Sequence, residues 1–183
     1  HEHNKITKGD ILIEKLLEGE NIALITDAGM PGISDPGEDI IKLAIENNIE
    51  IVALPGPTAA ITALIISGQS TNKFVFEGFL PSKKKDRILE LERLKSEERT
   101  IILYEAPHRI LELLKDMENI LGDRQISIAR ELTKIHEEIF RGSIKEARKK
   151  YEIENPRGEF VLVLKGGESI EIEGRFMVCS VCE

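Results

Sequence analysis

Two short stretches of the chain carry the residue types that let a backbone close around a ligand. Residues 27–37 read Asp-Ala-Gly-Met-Pro-Gly-Ile-Ser-Asp-Pro-Gly, and residues 55–58 read Pro-Gly-Pro-Thr. Each follows a continuously apolar run, Ile22-Ala23-Leu24-Ile25-Thr26 and Ile51-Val52-Ala53-Leu54. Such runs have the pattern of strands buried on both faces of a parallel sheet. In an open α/β sheet, ligands bind beyond the carboxyl ends of the strands, where glycine lets backbone N–H and C=O groups come close. The helix that follows presents an N-terminus favourable to an anionic group. One such turn is accounted for as a tight strand-to-helix connection; two this rich in Gly and Pro point to a ligand site. The first matches neither G-x-G-x-x-G nor G-x-x-x-x-G-K-[ST], so the common dinucleotide and phosphate-cradle fingerprints are absent.

The elements that must hold these turns follow from periodicity. A helix is predicted over residues 10–18, with Leu12, Leu16 and Leu17 on one face and Gly19 ending it. Asp35, Pro36 and Glu38 have the spacing of a helix cap, first-turn proline and capping box. Ile40, Ile41, Ala44 and Ile45 then form a buried stripe. Thr58 caps a small-residue helix that runs to Ser67 and stops at Gly68. Beyond residue 71 the texture changes. Strands are predicted at 74–79, 100–104, 125–129, 139–141 and 159–164. A helix with a basic start (Lys83, Lys84, Lys85, Arg87) has Ile88, Leu91 and Leu94 inward, and Pro107 opens another carrying Ile110, Leu113, Leu114 and Met117. Ser143 and Glu146 make a second capping box. The fold class is α/β, with one domain over 1–70, a second over 71–167, and an irregular tail over 168–183.

Composition limits what such a protein does. The chain has 183 residues, of which 41% are hydrophobic and 32% charged, ordinary for a globular protein. No apolar run approaches the roughly 18–20 residues that cross a bilayer, and no signal-peptide pattern opens the chain, so a membrane or secreted role is not expected. A net charge of −8 argues against nucleic-acid binding by bulk positive charge, while leaving room for a local basic face. Lys83, Lys84, Lys85 and Arg87 are the clearest such face. Cations at a helix N-terminus oppose its dipole, which favours a phosphate-binding role over a merely solvated one. Cys179 and Cys182 are the only cysteines, so no disulfide framework exists and a reducing cytoplasm is the expected compartment. A lone C-x-x-C is a poor zinc or redox motif, and His136-Glu137-Glu138 lacks the paired histidines of a zinc site; no metal is expected.

Taken together, the segments 26–37 (Thr-Asp-Ala-Gly-Met-Pro-Gly-Ile-Ser-Asp-Pro-Gly) and 54–59 (Leu-Pro-Gly-Pro-Thr-Ala) resemble the tetrapyrrole-methylase superfamily of S-adenosylmethionine (AdoMet) enzymes. Phe76-Glu77-Gly78-Phe79-Leu80-Pro81, Tyr104-Glu105-Ala106-Pro107-His108-Arg109 and Ala129-Arg130-Glu131-Leu132-Thr133-Lys134 narrow the resemblance to a branch of 16S ribosomal RNA 2′-O-methyltransferases that modify a cytidine. The match runs from about Gly9 to Gly166. It implies two α/β domains with AdoMet folded in the cleft between them, a homodimer, and small-subunit rRNA as partner. By position in the motifs, Asp27, Ala28, Gly29, Ile33, Pro57, Thr58 and Ala59 would hold the cofactor. The family's opening strand, Pro-Ile-Gly-Asn loop and acidic segment have no counterpart in the sequence, so an incomplete cofactor domain is expected.

Methyl transfer to a ribose hydroxyl needs alignment and loss of one proton. Glu105 and Glu131, each just after a buried strand, are the candidate bases; the alternative for each is a helix cap or an ion pair with Arg109 or Arg130. His108, Arg109, Arg130 and Lys134 join Lys83, Lys84, Lys85 and Arg87 as candidate RNA contacts. A porphyrin or corrin methyltransferase of the same superfamily is the second reading. A macrocycle calls for an aromatic-rich cleft, and only 4% of residues are aromatic. A non-catalytic remnant that binds RNA or AdoMet weakly is the third.

Overall fold

The computed structural model describes residues 5–167. The C-x-x-C, the irregular tail and the two N-terminal histidines lie outside the described residues. Along the chain come α1 (Lys5–Leu17), α2 (Glu38–Glu46), α3 (Ala59–Ser67), β1 (Phe74–Phe79), α4 (Lys84–Leu94), β2 (Thr100–Glu105), α5 (Ile110–Leu121), β3 (Gln125–Arg130), β4 (Glu138–Ser143), α6 (Ile144–Ile153) and β5 (Phe160–Leu164). No helix among these is long and apolar enough to cross a membrane.

The five strands form one mixed sheet in the order β1-β2-β5-β3-β4. β1 and β2 are parallel, and the β2–β5, β5–β3 and β3–β4 pairs are antiparallel. The carboxyl ends of β1, β2 and β3 therefore share one end of the sheet. Period-two alternation sends successive side chains to opposite layers. Ile101, Leu103, Ile126, Ile128, Phe160, Leu162 and Leu164 face α4, α5 and α6, whose Leu91, Leu113, Met117, Ala147 and Tyr151 complete the larger core. Ile102, Ala129, Val161 and Val163 face Ala60, Ala63 and Leu64 of α3. α3 thus covers the second face of the sheet, which an apolar helix with little amphipathicity is suited to do. Arg141 on β4 ties it down, its Nε donating to the Ile66 carbonyl at 3.1 Å near the helix C-terminus.

The second-half strands and the Ser143–Glu146 capping box form as predicted, with both reciprocal hydrogen bonds present. The first half departs from expectation. Residues 22–26 and 51–54 join no ladder, and Ile25, at 84% exposure, is open to solvent. A strand needs a hydrogen-bonded neighbour for its N–H and C=O groups, and among the described residues neither run has one in a ladder. Asp35 does not cap α2: its carboxylate accepts the Thr26 hydroxyl at 3.3 Å, and Gly37, at φ 143°, begins the helix without a side-chain cap. Of the predicted α2 stripe only Ala44 is buried. α2 instead packs against α1, where Leu43 Cδ1 would stand 2.9 Å from any Cβ at Gly9. α5 begins at Ile110, after a turn closed by the Arg109 N–H to the Ala106 carbonyl at 3.0 Å, so Pro107 lies outside it.

Candidate active site

The two glycine turns meet. A Cβ on Gly29 would lie 3.3 Å from the Pro57 carbonyl oxygen, and one on Gly56 2.8 Å from Met30 Sδ. Gly29 also sits at φ 82°, which only glycine adopts without strain. The turn after residues 22–26 and the turn before α3 therefore pack against each other and form one wall. Asp27, Ala28, Gly29, Ile33, Pro57 and Ala59 are exposed on it and Thr58 is half-buried. Thr58 is the N-cap of α3, although its side chain makes no capping hydrogen bond.

The sheet supplies the opposite wall. Gly78 near the end of β1, at φ 62°, approaches Ser34 so closely that a Cβ would stand 3.2 Å from its Oγ. Next to it, the Tyr104 hydroxyl accepts the backbone N–H of Ala60 at 3.1 Å, satisfying one orphan donor of the first turn of α3. Phe76 and Phe79 both meet Tyr104 edge to face, with ring centroids 5.0 and 5.6 Å away. Burial, assisted by the negative charge of Asp35, raises the Tyr104 hydroxyl above its ordinary pKa, so it stays protonated at neutral pH. Tyr104 was absent from the sequence-based candidates. The signal was there, since the residue precedes Glu105 at a strand end, but strand alternation decides which of the two faces the turns.

Glu105 points the other way. Its backbone pairs with Phe160, and its carboxylate, in a residue 1% exposed, lies in the α5 layer 3.3 Å from Arg109 Nε. One oxygen accepts the Ala106 N–H at 2.8 Å, and the other has no hydrogen-bond partner. Desolvation pushes its pKa up, only partly opposed by that N–H and by Arg109. Arg109 in turn donates to the Leu80 and Pro81 carbonyls at 2.7 and 3.2 Å, bracing the segment after β1. Its guanidinium is committed to the fold.

Glu131, at φ 49°, accepts the Glu159 N–H and the Lys134 ammonium, both at 3.0 Å. These bonds lower its pKa, the Glu159 N–H most, so it holds its proton poorly and is a weak base. Lys134 is shared with Glu159 at 3.2 Å, and Arg130 pairs with Glu138 at 2.9 Å. Glu105 thus has the expected ion-pair partner in Arg109, whereas Glu131 pairs with Lys134 and Arg130 goes to Glu138 instead.

Arg87 is a correction to the basic cluster. Only 2% exposed, it donates through Nε and Nη2 to Asp116 Oδ2 at 2.9 and 2.7 Å beneath α5, where no phosphate reaches it. Helical spacing places it on the same inward face as Leu91 and Leu94. Lys83, Lys84, Lys85 and His108 remain exposed. A recess of about 810 Å³ lined by Lys73, Glu97, Arg99 and Lys165 lies at the far end of the sheet, away from all these groups.

Residues 1–148 match the model of the tetrapyrrole (corrin/porphyrin) methylases. Proteins named ribosomal RNA small subunit methyltransferase I from Synechocystis and Bacillus subtilis are both 50% identical, over 91% and 94% of this chain and 60% and 59% of their own. The Thermotoga maritima protein of that name is 44% identical over 92% of this chain and 75% of its own length. The chain thus spans about 60% of the length of the first two relatives. Among solved structures, the methyltransferase CobJ superposes with a TM-score of 0.65 at 17% identity, covering 86% of this chain and 70% of that one. Uroporphyrin-III C-methyltransferase from Thermus thermophilus gives 0.61 at 17%, over 87% and 70%; likeness at this identity concerns the fold. With the family model matching most of its length and the Thermotoga relative covered over three quarters, the chain belongs to the tetrapyrrole (corrin/porphyrin) methylase family, in the branch of the ribosomal RNA small subunit methyltransferase I proteins.

Proposed function

We propose that the protein is an AdoMet-dependent methyltransferase acting on the 2′-hydroxyl of a cytidine ribose in 16S ribosomal RNA. The observation that carries this reading is the convergence of the two glycine turns on each other and on Gly78, which brings family cofactor-loop residues opposite a strand end. The residues present fit the cofactor: Gly29 and Gly56 let backbone groups pack where a Cβ would intrude, leaving main-chain donors and acceptors to recognise a polar ligand. Asp27, Ala28, Gly29, Ile33, Pro57, Thr58 and Ala59 would hold it. Bound there, AdoMet supplies an electrophilic methyl group on a sulfonium that is already its own leaving group.

The chain's contribution is chiefly orientation, which can lower such a barrier by about 7–11 kcal/mol. Tyr104, locked to Ala60, fixes the second wall against the first. Lys83, Lys84 and Lys85, exposed at the start of α4, would hold RNA phosphates, as would His108, exposed before α5. Glu105 and Arg109 act as positioning residues for the 80–81 segment, and Glu131 with Lys134 for the 131–137 turn. A corrin or porphyrin substrate is not favoured, because the relatives near 50% identity carry the rRNA name. A boundary near residues 70–72 and a homodimer belong to the same proposal; sedimentation of the purified protein tests the dimer.

The decisive assay offers labelled AdoMet and unmodified 30S subunits to this chain and to a version extended to the length of its relatives. Label recovered as 2′-O-methylcytidine from either supports the proposal. Label on neither, or only on an added tetrapyrrole, overturns it.

A further inference from the structure

We infer that Phe79 is a stacking platform for an unpaired pyrimidine base of the RNA, an assignment that rests on the function proposed above. β1 carries a backbone irregularity. In β1, Phe76 pairs with Ile102, Gly78 with Leu103 and Phe79 with Tyr104, so one residue of β1 is extra. In a regular strand Phe76 and Phe79, three apart, point to opposite faces. The bulge returns Phe79 to the face of Phe76, and both rings meet Tyr104. Bulges that re-aim a side chain recur beside active sites. This one lies where β1 touches Ser34 of the first glycine turn.

The result is an aromatic side chain spent on no core. Phe79 is 52% exposed, in contrast to Leu80 beside it, which is buried. Its orientation is fixed by the edge contact to Tyr104, itself anchored by the Ala60 N–H. Four to six residues on, Lys83, Lys84 and Lys85 stand exposed and enter no ion pair among the described residues. A pre-oriented ring beside unpaired cations is the combination that binds single-stranded nucleic acid, the ring taking a base and the cations its flanking phosphates. An apolar protein partner would have no use for the lysines, and a double helix would present no free base face.

The test is a thermodynamic cycle on binding, read by fluorescence anisotropy. The probe is a short labelled single-stranded RNA with one central cytidine in a run of uridines, together with the same RNA made abasic at that nucleotide and one abasic at all. Phe79→Leu keeps an apolar side chain and Phe79→Trp keeps a ring; thermal melts confirm that both variants fold. Loss of one stacked base corresponds to roughly ten- to hundred-fold in affinity. The platform predicts that F79L weakens binding of the intact RNA by about that factor, that F79W retains it, and that F79L no longer distinguishes intact from fully abasic RNA. Equal binding by wild type and F79L, with a Lys83→Glu/Lys84→Glu/Lys85→Glu variant still weakened, overturns the platform and leaves the RNA reading standing. No binding by wild type to any of the probes overturns the platform, while 30S methylation then decides the function separately.

Discussion

Two buried ionisable side chains show what each residue is for. Arg87 is locked to Asp116, and removing Arg87 leaves the Asp116 carboxylate buried without its ion-pair partner. Arg87→Ala is therefore expected to cost about 3–5 kcal/mol in urea denaturation, and replacing both by Met and Leu to recover most of that loss. A surface phosphate ligand would instead leave stability unchanged and reduce the salt dependence of RNA binding. Glu105 gives a pH signature. Its folded pKa lies above the ordinary 4.5 because burial disfavours the charged form. The fold consequently binds the proton more tightly than the unfolded chain. Its contribution is complete below the unfolded pKa and declines as pH rises through the raised folded value. Unfolding midpoints measured from pH 4 to pH 8 should show this decline in wild type and lose it in Glu105→Gln, whose amide oxygen can still accept the Ala106 N–H.

Turning to single elements, the capping box of α6 and the bulge of β1 make contrasting demands. Ser143 and Glu146 exchange hydrogen bonds of 3.2 and 2.8 Å, so Ser143→Ala should remove about 1 kcal/mol, seen as a melting temperature a few degrees lower. Gly78→Ala places a Cβ at φ 62° and against Ser34 Oγ. The conformation alone costs roughly 1–2 kcal/mol. Because the bulge also aims Phe79, G78A should weaken AdoMet or RNA binding more than an equally destabilising change in α6, which isothermal titration of both variants would reveal.

At the scale of the whole molecule, the asymmetry between the two halves is the dominant physical fact. The central strands β2, β5 and β3 are buried on both faces, whereas Leu24, Ile25, Val52 and Leu54 remain exposed in segments outside any ladder. Exposed apolar side chains on segments outside any ladder invite association. Light scattering should report concentration-dependent self-association of this chain. Ile25→Lys combined with Val52→Lys should suppress it without lowering the unfolding midpoint, since neither side chain is in a core. An unchanged scattering profile would mean that these segments are not the adhesive surface.

Much of this protein was legible in its residues. The order of helices and strands after residue 71, the inward faces of α4 and α5, the second capping box and the family motifs all depend on local spacing, which a sequence carries in full. Tertiary structure alone decided three things. It left residues 22–26 and 51–54 outside any ladder among the described residues, because an apolar pattern requires a pairing partner but cannot name it. It buried Arg87 on Asp116, a partner 29 residues away that no local rule pairs with it. And through strand alternation and one extra residue in β1 it set Tyr104 against the start of α3, put Phe79 on the Tyr104 ring and turned Glu105 away, because the face a strand residue takes depends on its register with a neighbour rather than on its own identity.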